Sequence, residues 1–159
     1  MGQHVGKTAS QEQQAREARA EQRVIRHREV RREVYARLPN EKDEAHRHIN
    51  SVWVEKPAPA RESALQNLYD HADQVGKTYT LISLEGPPNV ARAAKAILEQ
   101  VRREVYVLLS LLEESVGPQS LYEVHEARYA STVAGRPGPE QDFVEAARVV
   151  LGGNLAEPE

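Results

Sequence analysis

Arginines dominate the first quarter of the chain, and their spacing points to contact with a charged partner. Arg16, Arg19, Arg23 and Arg26 recur at steps of three and four residues, which places them on one face of a helix. A row of fixed cations can contact phosphates or acidic side chains. These four arginines are the candidate partner-contact face.

Glutamates interleave with these arginines and give the same segment a simpler interpretation. They are Glu12, Glu17, Glu21, Glu29 and Glu33. Their spacing suits ion pairs within one helix, and no aromatic residue that would stack on a base precedes Tyr35. A solvated, salt-bridged helix is therefore favoured over a nucleic-acid-binding one, which stays open as an alternative.

The tripeptide Gly-Lys-Thr occurs at residues 6–8 and again at 76–78. A phosphate-binding loop needs two glycines with four residues between them, a strand before and a helix after. Only three residues separate Gly2 from Gly6, and His71 stands where the first glycine of the second copy belongs. We therefore expect no nucleotide site and no cofactor.

Histidines and aspartates also cluster, but not at the spacing of ligands. His46 and His48 are two residues apart, so on a helix they point about 200° apart and cannot share an ion. Both are expected at a solvated surface. Asp70 and Asp73 share one side of a helix without a second histidine at helical spacing. No metal ligand and no catalytic residue is predicted, and the chain is not expected to be an enzyme.

Composition narrows the class of protein further. The chain has 159 residues and a net charge of -3, which suits one domain with a modest core and announces no polyanion-binding protein. The absence of cysteine excludes a disulfide scaffold and a thiolate site. The longest strongly apolar run, residues 105–112, is too short for a membrane span. Residues 1–10 lack the apolar core of a signal peptide, so we expect a cytoplasmic protein.

Helical periodicity predicts an all-α fold that begins with one long, coiled-coil-like helix. Residues 10–38 contain neither glycine nor proline, and we expect a helix capped by Ser10 and ended by Pro39. Its apolar face comprises Val30, Val34 and Leu38. Because that face exists only in the second half, the turns before about Val24 are expected to project from the domain.

A shorter helix is predicted from an Asn40 cap to about Val54. Its buried side would be Ala45, Ile49, Val52 and Trp53. A helical hairpin is predicted over residues 59–114, folded around residues 86–89. Its first apolar stripe is Leu65, Leu68, Ala72, Val75, Tyr79 and Ile82, and its second is Val90, Ala94, Ile97, Val101, Val105, Leu108 and Leu112. Glu99 would face solvent.

Two further helices complete the predicted bundle. One covers about residues 119–133, with Leu121, Val124, Ala127 and Arg128 at helical spacing. The other closes the fold over residues 139–151, with Phe143, Ala146, Ala147 and Val150 on one face, and ends at Gly152. Residues 10–151 thus form a single helical domain of four or five helices, an elongated antiparallel bundle, between flexible ends at 1–9 and 152–159.

Three parts of the sequence resemble uncharacterised helical proteins of high-GC Gram-positive bacteria. They are residues 81–94 (LISLEGPPNVARAA), residues 143–152 (FVEAARVVLG) and the step from Arg31 to Tyr35. The resemblance implies an elongated α-helical bundle, sometimes beside a membrane anchor, with no activity to carry over.

The sequence favours a non-catalytic interaction module that self-associates or binds a helical protein partner. A narrow core rarely hides every long apolar stripe within one copy, and a helix striped with arginine and glutamate suits a coiled-coil contact. Two alternatives stay open. One is a nucleic-acid-associated accessory protein that uses the Arg16–Arg26 face, and the other is an enzyme whose site is assembled from scattered side chains.

Overall fold

The computed structural model of the chain describes residues 2–55, 61–114 and 122–152, which form five helices and no strand. They are α1 (Gly2–Glu55), α2 (Arg61–Glu85), α3 (Pro88–Glu114), α4 (Tyr122–Val133) and α5 (Pro137–Leu151). The predicted all-α helical bundle is confirmed. None of these described helices is both long and apolar enough to cross a membrane.

Helix α3 lies at the centre of the bundle and contacts each of the other four helices. Its predicted apolar stripe is buried throughout, with Val101 and Leu108 fully inaccessible. Glu99, predicted to face solvent, is exposed. Because its apolar residues recur every three or four positions, one helix offers a continuous apolar wall to its neighbours.

The helical hairpin of α2 and α3 is confirmed, with a turn of only Gly86 and Pro87 between the helices; positions 59 and 60 lie outside the described residues. The Gly86 N–H donates to the Ile82 carbonyl over 2.8 Å. A Cβ at Gly86 would lie 2.8 Å from the Tyr35 hydroxyl, so the turn needs glycine here. Pro88 then opens α3 at a position where a backbone N–H has no intrahelical acceptor.

The predicted helix end at Pro39 is wrong, since α1 continues through Pro39 to Glu55 as one helix. Asn40 therefore lies in the middle of a helix and does not cap a new one. Proline inside a helix costs roughly 3 kcal/mol because it removes one hydrogen bond and crowds the preceding turn. Fully buried side chains flank it on both sides, Leu38 before and Ile49 after. Burying each such side chain contributes about 1.5–3 kcal/mol, so packing outweighs the local preference.

Helix α1 also begins earlier and docks later than predicted. It starts at Gly2 rather than Ser10, and its first partly buried side chain after residue 7 is Arg31. Val24, Ile25 and Val30 are 64%, 58% and 39% exposed, so the expected docking after Val24 is wrong. The later apolar residues of α1 dock as predicted: Val34, Leu38, Ala45, Ile49, Val52 and Trp53 are buried.

The two C-terminal helices differ in how well their faces were predicted. Helix α5 buries Phe143 and Ala147, and ends at Gly152, which takes a φ of 66°; the left-handed geometry favours glycine there. Helix α4 buries His125, whereas Val124 is 60% exposed and Ala127 and Arg128 are exposed. The predicted face of α4 is therefore wrong. Residues 119–121 and 153–159 lie outside the described residues.

Candidate interaction surface on helix α1

The first half of α1 is a helix with its whole circumference in solvent. Every side chain from residue 8 to residue 30 is exposed, a stretch of about 35 Å at 1.5 Å per residue. We call this stretch the arm. It carries Val24 and Ile25, two large apolar side chains that the rest of the described chain leaves uncovered.

The four predicted arginines all lie on the arm. Arg16, Arg19, Arg23 and Arg26 are exposed, and they follow one face at steps of three and four residues. None of them makes an ion pair or side-chain hydrogen bond with a described residue. The structure places these arginines together on one helix face, and their partner contact stays a prediction.

The ion pairs expected within the arm are not formed. Among the described residues of α1 before Pro39, one Arg–Glu pair lies within ion-pair distance. Arg37 Nη2 is 3.9 Å from Glu33 Oε1. Exposed pairs of this kind contribute little to stability. The arm is therefore charged without being internally neutralised.

Two polar contacts fix the base of the arm against the end of α2. Arg31 donates from Nε to the Glu85 carbonyl oxygen over 2.9 Å, and His27 Nδ1 lies 3.3 Å from a carboxylate oxygen of the same residue. The C-terminal carbonyls of α2 would otherwise lack donors, and they carry partial negative charge. The arm consequently leaves the bundle in a direction set by α2.

A shallow groove runs between the base of the arm and the end of α5. Val24, Val150 and Leu151 form its apolar part, and Arg23 and Arg28 are among the cations that border it. The apolar surface is therefore continuous from α5 in the bundle to Val24 on the arm.

A buried ionic cluster connects α1, α3 and the turn that precedes α5. Glu104 on α3 is fully buried and accepts a hydrogen bond from Arg136 Nε over 2.8 Å, with Arg136 Nη2 also in contact. Its other oxygen accepts from Gln100 Nε2 over 3.1 Å and lies 3.1 Å from His46 Nε2. His46 has ion-pair distance but no aligned hydrogen bond there.

The charge of Glu104 is stabilised by its neighbours. Burial raises the pKa of this carboxyl, but the contacts with His46 and Arg136 outweigh burial and leave the pKa below its ordinary value. A general acid or base near neutral pH needs the opposite adjustment. The cluster thus holds the bundle together, and Glu104 stays an anion without solvent access.

His46 and His48 on α1 were wrongly predicted as solvated. His46 is only 8% exposed, and His48 is half-buried with its ring 5.0 Å from that of His71 on α2. Sequence spacing alone does not reveal this, because the partners Glu104 and His71 lie far along the chain. Among the described residues, no group of three or more histidine, aspartate or glutamate side chains is placed to hold a metal ion.

The second Gly-Lys-Thr segment lies inside α2 rather than in a loop. Thr78 is buried and donates its hydroxyl to a Glu41 carboxylate oxygen, a contact between α2 and α1. A phosphate cradle needs free backbone amides, which a helix interior does not offer. The earlier copy also lies within a helix, α1.

Comparison with known proteins identifies no relative: no protein-family model, curated protein or solved structure matches the chain. The surface of the arm and the buried cluster are therefore the two features from which a function can be inferred.

Proposed function

We propose that this chain is a non-catalytic helical interaction module that self-associates through the arm. The observation that supports this most strongly is the exposure of every side chain from residue 8 to residue 30, Val24 and Ile25 included. A cytoplasmic location and kinship with helical proteins of high-GC Gram-positive bacteria belong to the same proposal.

Helix energetics favour a partner for the arm. A helix of this length without tertiary contacts is only marginally stable in water, because most helical stability in proteins comes from packing an apolar face. The arm receives little such packing from the described part of its own chain, because every side chain from residue 8 to residue 30 stays exposed. A second helix laid along it would supply that packing.

The enzyme alternative has weaker support. Among the described carboxyl groups, Glu104 is the one whose pKa departs from its ordinary value, and it is fully buried between His46 and the cationic Arg136. Functional carboxyl groups with shifted pKa values lie in clefts that a substrate can enter. Glu104 has no such opening.

The nucleic-acid alternative depends on one observation, the unpaired row of Arg16, Arg19, Arg23 and Arg26. Glu12 lies on the same face four residues before Arg16, and the glutamates of the arm nearly balance its arginines. Binding to a phosphate backbone would fall steeply with salt. The alternative is therefore separable from protein association by salt dependence.

The test compares the full chain with a chain that lacks residues 1–23. Because residues 8–23 are all exposed and bury little apolar surface, we expect the melting temperature to stay nearly unchanged. We expect the molar mass by light scattering to fall from oligomer to monomer. A fluorescent DNA titration at two salt concentrations measures the alternative on the same samples.

Val124→Ser provides the control, since it removes an exposed apolar side chain on α4 and should leave both mass and melting unchanged. An unfolded truncated chain would show that the arm belongs to the core. An unchanged mass would show that residues 1–23 do not mediate association. Strong DNA binding that disappears with residues 1–23 would favour the nucleic-acid alternative instead.

A further inference from the structure

One face of the arm, continued past its base to Arg32, carries charges that are complementary to those of the same face running in the opposite direction. Glu17, Glu21, Val24, Ile25, Arg28 and Arg32 follow the steps that define one side of a helix. All six are exposed. Along the chain this side is acidic, then apolar, then basic, and we call it the seam.

The charges of the seam are not neutralised within one copy. Glu17 and Glu21 are four residues apart, as are Arg28 and Arg32, and like charges at that spacing repel each other on a helix. The positions three and four residues before and after Glu21 and Arg28 hold no residue of opposite charge. None of the four forms an ion pair with another described residue.

A second copy in the reverse direction supplies the missing counter-charges. A two-fold axis between Val24 and Ile25 places Glu21 opposite the partner copy's position 28 and Glu17 opposite its position 32, because the positions in each pair are equally far from the axis. The apolar pair meets its own copy at the centre. In a parallel arrangement every charge of the seam would face a like charge.

We propose that two copies of this chain associate through their seams as antiparallel arms, in the register centred between Val24 and Ile25. This inference rests on the proposed function and specifies its surface, direction and alignment. The symmetry makes one self-complementary patch serve both copies, as in isologous dimers. The open cleft around Val24, Ile25 and Arg28 on the free arm is the surface that the second helix covers.

The arginine row lies on the other side of the arm. Arg19, Arg23 and Arg26 each stand two residues from members of the seam, and two residues turn a helix by about 200°. Antiparallel arms therefore leave Arg16, Arg19, Arg23 and Arg26 exposed on the outside. Self-association and the predicted partner face use different sides.

Charge reversal in the full chain tests the pairing. Glu17→Arg/Glu21→Arg makes the seam wholly basic, and Arg28→Glu/Arg32→Glu makes it wholly acidic. Each variant alone should dimerise at least about tenfold more weakly, since every attraction across the seam becomes a repulsion. The chain with all four reversals should recover the dimer. An equimolar mixture of the two double variants should form a heterodimer.

Arg19→Glu/Arg26→Glu is the matched control. It changes the net charge by as much as Arg28→Glu/Arg32→Glu but lies on the far side of the arm, so its dimer should match the wild type. If this control also loses the dimer, overall charge rather than the seam decides association, and the proposal is overturned.

Spin labels measure the direction and register. The chain contains no cysteine, so Ala18→Cys creates one labelling site per copy beside the seam. In the proposed register the two labels lie about 20 Å apart along the axis, because thirteen residues at 1.5 Å separate their levels. Parallel arms would place them level, and such a distance would overturn the proposal.

The outcomes separate this inference from the proposed function. Deletion of residues 1–23 could abolish the dimer while both charge-reversed double variants still dimerise. That result would keep the arm as the contact element and overturn the pairing through the seam. A full chain that stays monomeric over a wide concentration range would overturn self-association altogether.

Discussion

The two halves of helix α1 share one backbone and differ in almost everything else. Up to residue 30 every described side chain is exposed, whereas from Val34 onward the buried positions recur at helical spacing. The second half contains the proline, yet it is the half that the bundle holds. Burial of an apolar face, rather than local helix propensity, therefore decides which half of α1 packs in the bundle.

Charge is handled differently in the two halves as well. The docked half inserts Lys42 and His46 into the bundle, where each meets a carboxylate: Lys42 Nζ lies 2.5 Å from Glu140 Oε1, and His46 meets Glu104. The arm exposes its arginines without partners. Buried charges must be paired within the chain, whereas exposed ones are free to meet another molecule.

Large-to-small substitutions should separate the two halves most strongly. Leu38→Ala removes a fully buried side chain, and we expect a loss of about 2–5 kcal/mol in the free energy of unfolding because a cavity remains. Val30→Ala, on the arm and outside the seam, should change it by less than about 0.5 kcal/mol. Urea denaturation measures both. Similar losses at the two positions would erase the distinction between the halves.

Removing the buried charge should have the next largest effect. Glu104→Gln leaves the cationic Arg136 beside a neutral side chain, and we expect a loss of about 3 kcal/mol at neutral pH. The exposed Glu99→Gln is the control and should change stability by less than about 0.5 kcal/mol.

The same substitution has a predictable pH dependence. Because the folded-state pKa of Glu104 is below its ordinary value of 4.5, its contribution is complete above that value and is lost as the pH falls through the lower folded-state pKa. The difference between wild type and Glu104→Gln should therefore shrink on acidification below about pH 4.5. A difference that grows on acidification would contradict a stabilised anion.

Two glycines should respond to alanine substitution in opposite directions, and one of them, Gly86, lies against Tyr35 near the start of the docked half. Gly86→Ala would place a methyl group 2.7 Å from the Ile82 carbonyl oxygen and 2.8 Å from the Tyr35 hydroxyl, with an expected loss of about 1–3 kcal/mol. Gly76→Ala, inside α2, meets neighbours only at 3.8 Å. It should gain about 0.5–1 kcal/mol from better helix propensity. Thermal melting of both variants measures the two effects. Equal melting temperatures would mean that the atoms around Gly86 move aside without cost.

Sequence periodicity predicted those features that depend on neighbouring turns. The stripes of α2 and α3 hold because a three-to-four-residue repeat directly specifies a buried helix face. Val101, Leu108 and Glu99 all lie as predicted. The end at Pro39 was wrong because long-range packing on α2 and α5 outweighs a local penalty, which the proline alone does not reveal.

The polar cluster was not predictable in the same way. Glu104 and His46 are separated by 58 positions, and Arg136 by a further 32, so no local spacing connects them. The face of α4 that was predicted to be buried is exposed at Val124. The helix instead buries His125 and stacks Tyr129 on Trp53, with the ring centroids 4.7 Å apart. Aromatic and ionic contacts between distant helices are set by the fold.

The unbroken course of α1 through Pro39 has a mechanical consequence. The backbone hydrogen bond that proline removes lies in the docked half, where Tyr35 and Lys42 contact α5 and Glu41 contacts α2. Residues 10–38 contain neither glycine nor proline, so the free part of the helix has no built-in hinge. With a second helix packed along it, the arm would carry a sideways load on its tip to the bundle as torque, and two joined copies would hold their bundles at a set spacing.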